Sequence, residues 1–236
     1  MMSSYGVCLI AAGALIGGAF AQDWTFTPNT DPNGYYNGDT NAKVQGFITD
    51  GNYTLGVGTN KSNRGLVLTA TRLNTSAGQY YPCHAWLAGS GDLDLCKPIT
   101  DAQGNAYYIS EIGQQAMDTF IQGLVSGQKI SSSCIKSVHF PSTCSKIGIY
   151  SFRQHTSLTN LEFNCSVSLS ECCFTSCYGL KQIYFRNGTP SSFGPTDPAK
   201  YAFANGPSAK KIDSTFPCAR PMRHPHGRPS LLLQCP

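Results

Sequence analysis

One unit of sequence is repeated between Ile135 and Phe185, and this repeat constrains the fold more than any other feature. In each copy an apolar residue is followed by a second one three positions later, and by a phenylalanine two positions after that. The copies consist of Ile135, Val138 and Phe140; of Leu158, Leu161 and Phe163; and of Leu180, Ile183 and Phe185. Their offsets are 23 (135 to 158) and 22 (158 to 180) residues. Because one unit of this length cannot bury its own apolar side chains, successive units must stack as the coils of a solenoid.

The spacing inside each copy predicts one short strand per coil. Side chains alternate between the two faces of a strand, so the second apolar residue and the phenylalanine point into the coil. The residues beside them point outward and align from coil to coil, because neighbouring strands lie about 4.8 Å apart. The outward rows, which are the predicted binding face, are Ser137, Asn160 and Gln182 in one and His139, Glu162 and Tyr184 in the other. A parallel sheet on one side of a few short coils is therefore expected.

A second match lies on the returning side of each coil. Ile147 and Phe152 in one copy correspond to Leu169 and Phe174 in the next. These residues are expected to fill the core from the side opposite the strands.

The repeats resemble the BspA-type leucine-rich repeat. The matching pattern is Ile-x-x-Val-x-Phe-Pro from Ile135, Ser-Lys-Ile-Gly from Ser145 and Ser-Phe-x-x-His-x-x-Leu from Ser151. In that family a cysteine often follows three residues after the phenylalanine; Cys177 matches it, and His155 replaces it in the earlier copy. The resemblance implies a β-rich leucine-rich-repeat solenoid in an extracellular surface protein that binds other macromolecules and is not an enzyme.

The N-terminus has the pattern of a signal peptide. Residues 7–20 form an uncharged apolar run, shorter than the roughly 20 residues of a membrane span. The run leads into Ala19-Phe20-Ala21, a small-x-small cleavage pattern. We predict a signal peptide over residues 1–21, the alternative being an uncleaved anchor or buried segment. A secreted or cell-surface location without a membrane span in the mature chain follows.

Removal of Cys8 leaves ten of the eleven cysteines, an even number on a route that permits disulfides. Cys83 and Cys96 are the candidates for a local disulfide, and unpaired or differently paired thiols are the alternative. Sequons that make the chain a candidate glycoprotein stand at Asn52, Asn60, Asn74 and Asn164.

More cysteines cluster in the repeats. Cys177 is expected to be a buried thiol at the family position. Either Cys172 or Cys173 is a candidate for a bridge to Cys144 or Cys165, with a structural metal cluster as the third option.

The remaining segments divide the chain. Residues 22–98, rich in glycine, asparagine and turn signals, are predicted to form an irregular β-rich cap over the solenoid at residues 99–213. Within the solenoid, Ala116–Gly127 shows helical spacing, which predicts a short helical insertion that either binds a partner or packs on the coil. Residues 214–236, dominated by proline, arginine and histidine, are predicted to be a disordered basic tail.

Charge and motifs limit the classes of function. The net charge is +4, and three arginines of the tail supply most of it, so nucleic-acid binding has no support. No histidine lies in a nucleophile motif, and the histidines and cysteines of the tail match no standard zinc spacing, so neither a cofactor nor a metal is predicted. We predict a module that binds an extracellular or host-surface protein or glycan. The alternatives are a solenoid scaffold of an extracellular enzyme or a fragment of a larger adhesin.

Overall fold

The computed structural model shows a chain built from short strands joined by turns. The residues described are 23–30, 35–37, 44–51, 53–59, 64–69, 71–73, 91–118, 124–125, 128–129, 135–186, 190–195, 200–205, 220–223 and 229–234. The strands, in chain order, are β1 (Trp24–Pro28), β2 (Tyr35–Asn37), β3 (Gly46–Thr49), β4 (Thr54–Thr59), β5 (Gly65–Leu68), β6 (Thr71–Leu73), β7 (Asp92–Asp94), β8 (Ile99–Thr100), β9 (Ala106–Ile112), β10 (Leu124–Val125), β11 (Gln128–Lys129), β12 (Ser137–Phe140), β13 (Lys146–Ile147), β14 (Asn160–Phe163), β15 (Ser168–Leu169), β16 (Gln182–Phe185), β17 (Ser192–Phe193), β18 (Arg220–Arg223) and β19 (Pro229–Gln234).

The front sheet of the solenoid carries the predicted repeat. Strands β7, β12, β14 and β16 are parallel, and Val138, Leu161 and Ile183 occupy equivalent places in the register. Strand β7 extends this sheet upstream of residue 99, with Leu93 opposite Val138. The predicted parallel sheet of short coils is thus present, and Asp92–Asp94 is a part of it that the repeat pattern alone did not reveal.

The return sheet lies on the other side of the coils. It consists of the end of β9 followed by β13, β15 and β17, all parallel, with Ile112, Ile147 and Leu169 in register. Coils approach so closely here that a Cβ added at Gly148 would lie 2.6 Å from the backbone nitrogen of Gln114. This contact explains the Ile-Gly pair of the repeat.

Stacked phenylalanine rings fill the space between the two sheets. One stack consists of Phe140, Phe163 and Phe185, and the other of Phe152, Phe174 and Phe203. Neighbouring rings within a stack have centroids between 4.7 and 5.3 Å apart, and the two stacks meet edge to face. All six rings are buried, so the repeat register predicted from the sequence is confirmed.

The backbone turns sharply on both sides of the return-side phenylalanines. Tyr150 and Gln154 have φ values of 54° and 63°, and Cys172 and Ser176 repeat them one coil later at 51° and 60°. Left-handed backbone costs roughly 1 kcal/mol for a residue with a side chain. The stacking of the coils therefore outweighs a local preference at four positions.

The N-terminal cap is a closed barrel. Each strand pairs with the next in the order β9, β5, β4, β3, β1 and β8, and β8 pairs back with β9. Most pairs are antiparallel, whereas β5 with β9 and β1 with β8 are parallel. The cap is β-rich as predicted, but it is a small mixed barrel that shares β9 with the return sheet. Outside it, β2 pairs with β6.

The short helix predicted over Ala116–Gly127 is wrong. Residues 114–117 form turns, and Leu124–Val125 is a strand that pairs antiparallel with Gln128–Lys129. The described part of this segment contains no helix. Met117 remains in the core, where its amide donates to the carbonyl of Ser151 at 2.8 Å.

The prediction of disorder for residues 214–236 is wrong for two segments. Strand β19 pairs antiparallel with β16 at the end of the front sheet, and β18 pairs antiparallel with β19. The predicted signal peptide at residues 1–21 lies outside the described residues, as do Cys83, Asn52, Asn60 and Asn74.

An ion pair between Asp118 and Arg153 joins two neighbouring coils of the solenoid. Asp118 is fully buried, and the guanidinium of Arg153 binds both of its carboxylate oxygens, with 3.0 Å between Nε and Oδ1. The same guanidinium lies 4.5 Å from the ring centroid of Tyr150.

Candidate recognition face

Six side chains of the front sheet form two straight rows on its outer side, which we call the ladder face. Ser137, Asn160 and Gln182 are paired residue by residue, as are His139, Glu162 and Tyr184. All six are half-buried, whereas the alternate residues of the same strands are buried. The placement follows from the two-residue period of a strand.

Charged groups connect the ladder face from strand to strand. His139 Nε2 lies 3.1 Å from Asp92 Oδ1, and its Nδ1 lies 3.7 Å from Glu162 Oε2. Glu162 also accepts two hydrogen bonds from Arg186, with 3.0 Å between Nη2 and Oε2. Bonding to this carboxylate raises the pKa of the Arg186 guanidinium. Acidic and basic groups therefore alternate along the face, in the order Asp92, His139, Glu162 and Arg186.

Tyr184 is held in one orientation on this face. Its hydroxyl donates to Gln182 Oε1 at 2.9 Å, and the guanidinium of Arg186 lies 5.9 Å from its ring centroid. A side chain with few rotatable bonds and two such contacts loses little entropy when it binds a ligand.

Two contributors to the face were missed by the sequence analysis. Asp92 accepts a hydrogen bond from the Ser137 hydroxyl and contacts His139, and Arg186 pairs with Glu162. The alternation Asp92-Leu93-Asp94-Leu95 was the signal for the first, since it has the period of a half-buried strand. Arg186 directly follows the last phenylalanine of the repeat, outside the strand pattern.

Asn164 follows strand β14 and Cys96 follows strand β7, at one end of the ladder face. The amide of Asn164, the one candidate glycosylation site within the described residues, lies 3.4 Å from the sulfur of Cys96. Desolvation raises the pKa of the Cys96 thiol to about 11. Cys96 is a free thiol here, and Cys83 lies outside the described residues, so their disulfide stays a prediction.

The other described cysteines lie inside the solenoid, and all are free thiols. Cys177 is buried, as predicted, and its sulfur contacts the carbonyl oxygen of Phe152 at 3.1 Å. Burial raises its pKa to about 12. Within the described part of the chain, no group of three or more histidine, cysteine or acidic residues is arranged to hold a metal ion.

Comparison with known proteins identifies the repeats. Residues 129–216 match the family described as BspA type leucine rich repeat region (6 copies). The chain is also similar to a leucine-rich repeat protein from Bacteroides capillosus ATCC 29799, with 24% identity and a TM-score of 0.38. That match covers 57% of this chain and 78% of the other. No curated protein gives a significant match.

The described residues include no helix long and apolar enough to cross a membrane. The repeat period, the two parallel sheets and the family match agree with one another and confirm the resemblance seen in the sequence. Residues 129–216 are a BspA-type leucine-rich-repeat region.

Proposed function

We propose that this protein is a secreted or cell-surface recognition module that binds an extracellular or host-surface protein or glycan through the ladder face. The observation that supports the proposal most is the in-register alignment of the six polar side chains on a floor of stacked phenylalanines. Because these phenylalanine rings are buried and stacked, we expect the strands above them to keep their positions when a ligand binds, which keeps the entropy lost on binding small.

The chemistry of the ladder face suits selective recognition. Tyr184 offers apolar area with a polar tip, and tyrosine and arginine are the residues that most often dominate binding energy. Asp92, Glu162 and Arg186 place charges of both signs close together, and His139 lies between the two carboxylates. A ligand must match their order, and a wrong order costs energy through unpaired charge.

The test compares two tyrosine variants on an array of purified extracellular-matrix proteins and host-cell-surface glycans. Tyr184→Ala is expected to weaken binding to any ligand captured by the wild type by more than about 1 kcal/mol, roughly fivefold. Tyr178→Ala is the matched control, since Tyr178 is 61% exposed and lies in a turn away from the face. Both variants are expected to melt like the wild type, because neither residue fills the core.

Equal affinity of Tyr184→Ala and the wild type for every captured ligand would contradict the proposed face. An equal loss in both tyrosine variants would also contradict it, because binding would then depend on exposed tyrosine in general.

The proposed location has its own measurement. Protein recovered from the culture medium of its own cells is expected to begin at Gln22, which mass spectrometry of the N-terminal peptide would show. An intact Met1 species in the membrane fraction would instead favour an uncleaved anchor.

A further inference from the structure

A groove crosses the outer side of the return sheet, on the opposite side of the solenoid from the ladder face. Its volume is about 520 Å³, which lies within the range of small-ligand sites, about 300–1,000 Å³. One row of its lining residues takes one outward side chain from each of five neighbouring strands, namely Val67, Glu111, Lys146, Ser168 and Ser192. We call this cavity the return groove.

The second row of the return groove consists of small residues. It lies two positions further along the same strands and contains Gly113, Gly148, Ser170 and Gly194. Coil stacking keeps these residues small, since a Cβ added at Gly113 would lie 2.6 Å from the carbonyl oxygen of Leu68. No side chain larger than that of serine stands in this row, so the space beside the first row stays open from coil to coil.

The polar groups of the return groove are available to a ligand. Glu111, Lys146 and Glu171 line it, and among the described residues none of the three side chains forms an ion pair or a hydrogen bond. On the ladder face, in contrast, the charged groups pair with one another. The hydroxyls of Ser168 and Ser192 lie 2.9 Å apart, and either can donate. The groove therefore offers acceptors, donors and hydroxyls side by side.

The spacing of the first row favours a sugar chain over a peptide. Neighbouring strands follow one another about every 4.8 Å, whereas an extended peptide advances about 3.3 Å for each residue and falls out of step. A pyranose in an extended β-1,4-linked chain advances by nearly the thickness of one coil, so each sugar meets the same two rows. Sugar hydroxyls both donate and accept, as the lining groups require. Half-buried Ile149 adds apolar contact for the C–H groups of the rings.

We propose that the return groove binds an extended, uncharged β-1,4-linked glycan, with one sugar to each coil. The carboxylates of Glu111 and Glu171 outnumber the ammonium of Lys146, so a sulfated or uronic-acid chain is repelled. Five strands span about 19 Å, which accommodates about four sugars. This site is separate from the ladder face, and the proposal does not rest on that face.

The test is calorimetric titration of the full chain with β-1,4-linked oligosaccharides of glucose and of N-acetylglucosamine, from disaccharide to hexasaccharide. The affinity for at least one series is expected to rise up to about the tetrasaccharide and then to level off, because further sugars extend beyond the groove. A heparin hexasaccharide is expected not to bind.

Variants locate the site. Ser168→Tyr places a ring in the middle of the first row, where a strand tolerates tyrosine, and is expected to remove measurable binding. Ser142→Tyr is the matched control and should bind like the wild type, since Ser142 is an exposed turn residue outside the groove. Glu111→Gln keeps the shape and removes the charge, so it should weaken binding by roughly fivefold or more even if Ser168→Tyr fails to fold.

Several results would overturn the proposal. They are the absence of binding in both series, equal affinity for disaccharide and hexasaccharide, and preference for the heparin hexasaccharide. Binding that is lost in Tyr184→Ala but kept in Ser168→Tyr and Glu111→Gln would place the sugar on the ladder face. That result would end this proposal and leave the proposed function standing.

Discussion

Replacing His155 by cysteine is expected to remove one large part of the acid sensitivity of this fold, the part that comes from a buried neutral imidazole. The imidazole is 1% exposed, and its Nε2 lies 2.6 Å from the carbonyl oxygen of Met117. A carbonyl only accepts, so Nε2 carries the hydrogen of the neutral ring. Nδ1 is buried and has no hydrogen-bond partner among the described residues. A proton on Nδ1 would therefore be a buried charge without compensation.

The size of the effect follows from the pKa of this ring. Burial lowers the pKa of His155 from 6.5 to about 4. Between these values the unfolded chain binds a proton that the folded chain does not, so the free energy of unfolding falls as the pH falls. At 1.36 kcal/mol for each unit of pKa, the loss between pH 7 and pH 4 is about 3 kcal/mol.

Cysteine is the appropriate substitute because the next coil already uses it at the equivalent position. Cys177 places its sulfur 3.1 Å from the carbonyl of Phe152, just as His155 contacts the carbonyl of Met117. His155→Cys therefore keeps a donor to the preceding coil and removes the buried imidazole.

Urea denaturation at several pH values between 7 and 4 would measure the difference. The wild type is expected to lose about 3 kcal/mol more than His155→Cys across this range. Cys177→Ser is the control, since the pKa of Cys177 is raised to about 12 and its replacement changes stability without changing the pH slope. The same pH slope in the wild type and in His155→Cys would refute the reasoning.

Three further changes test the core by thermal or urea unfolding. Phe163→Ala should cost about 3–5 kcal/mol and Phe163→Leu clearly less, because the ring stacks on both neighbours; a melt of Phe163→Ala like that of the wild type would reject the register. Arg153→Ala should cost about 3–5 kcal/mol by removing the cation that neutralises the buried carboxylate of Asp118, and adding Asp118→Asn should recover part of this loss. Failure of the second change to recover any stability would locate the cost elsewhere. Gln154→Gly should stabilise by up to about 1 kcal/mol, because φ is 63° there; a loss of stability would show that its side-chain contacts matter more.

The repeat region could be predicted from the sequence because successive coils repeat the same alternation of apolar and polar residues. Val138 and Phe140 alternate with polar residues as a half-buried strand requires, and the pattern recurs one coil later at Leu161 and Phe163. The two-residue period within each strand and the repeat from coil to coil agree, so only one register of the parallel strands fits the sequence. The ladder face followed from the same alternation, whereas its charge pairing depended on Asp92 and Arg186, which lie outside the repeat.

The predicted helix shows how tertiary contacts override a local pattern. Ala116, Leu124 and Val125 have helical spacing, but Gln115 adopts φ of 55° and the Met117 amide bonds to the next coil at Ser151. These contacts continue the turn of the coil at Gln115 and Met117, where the helix was predicted to begin.

The barrel and the last strands depend on pairings that no local pattern contains. The barrel closes where β8 meets both β1 and β9, and the amide of Trp24 donates to Pro98, far along the chain, at 2.9 Å. The tail was predicted to be disordered because of its many prolines and arginines, although it contains the apolar run Leu231-Leu232-Leu233. Its strand β19 covers the edge of β16, an edge that would otherwise be open to pairing with another chain.

The size of the ladder face limits the kind of ligand it can hold. Together with β7, which adds Asp92, the strands of this face number four; at about 4.8 Å spacing they span about 14 Å, and four residues of strand extend about 13 Å, which gives an area on the order of 200 Å². A stable complex of two folded proteins buries about 800 Å² on each partner. The ladder face alone therefore suits a short glycan or an extended peptide better than a folded domain. Such a ligand binds weakly at one site, and strong attachment would require several copies of the protein acting on a repetitive surface.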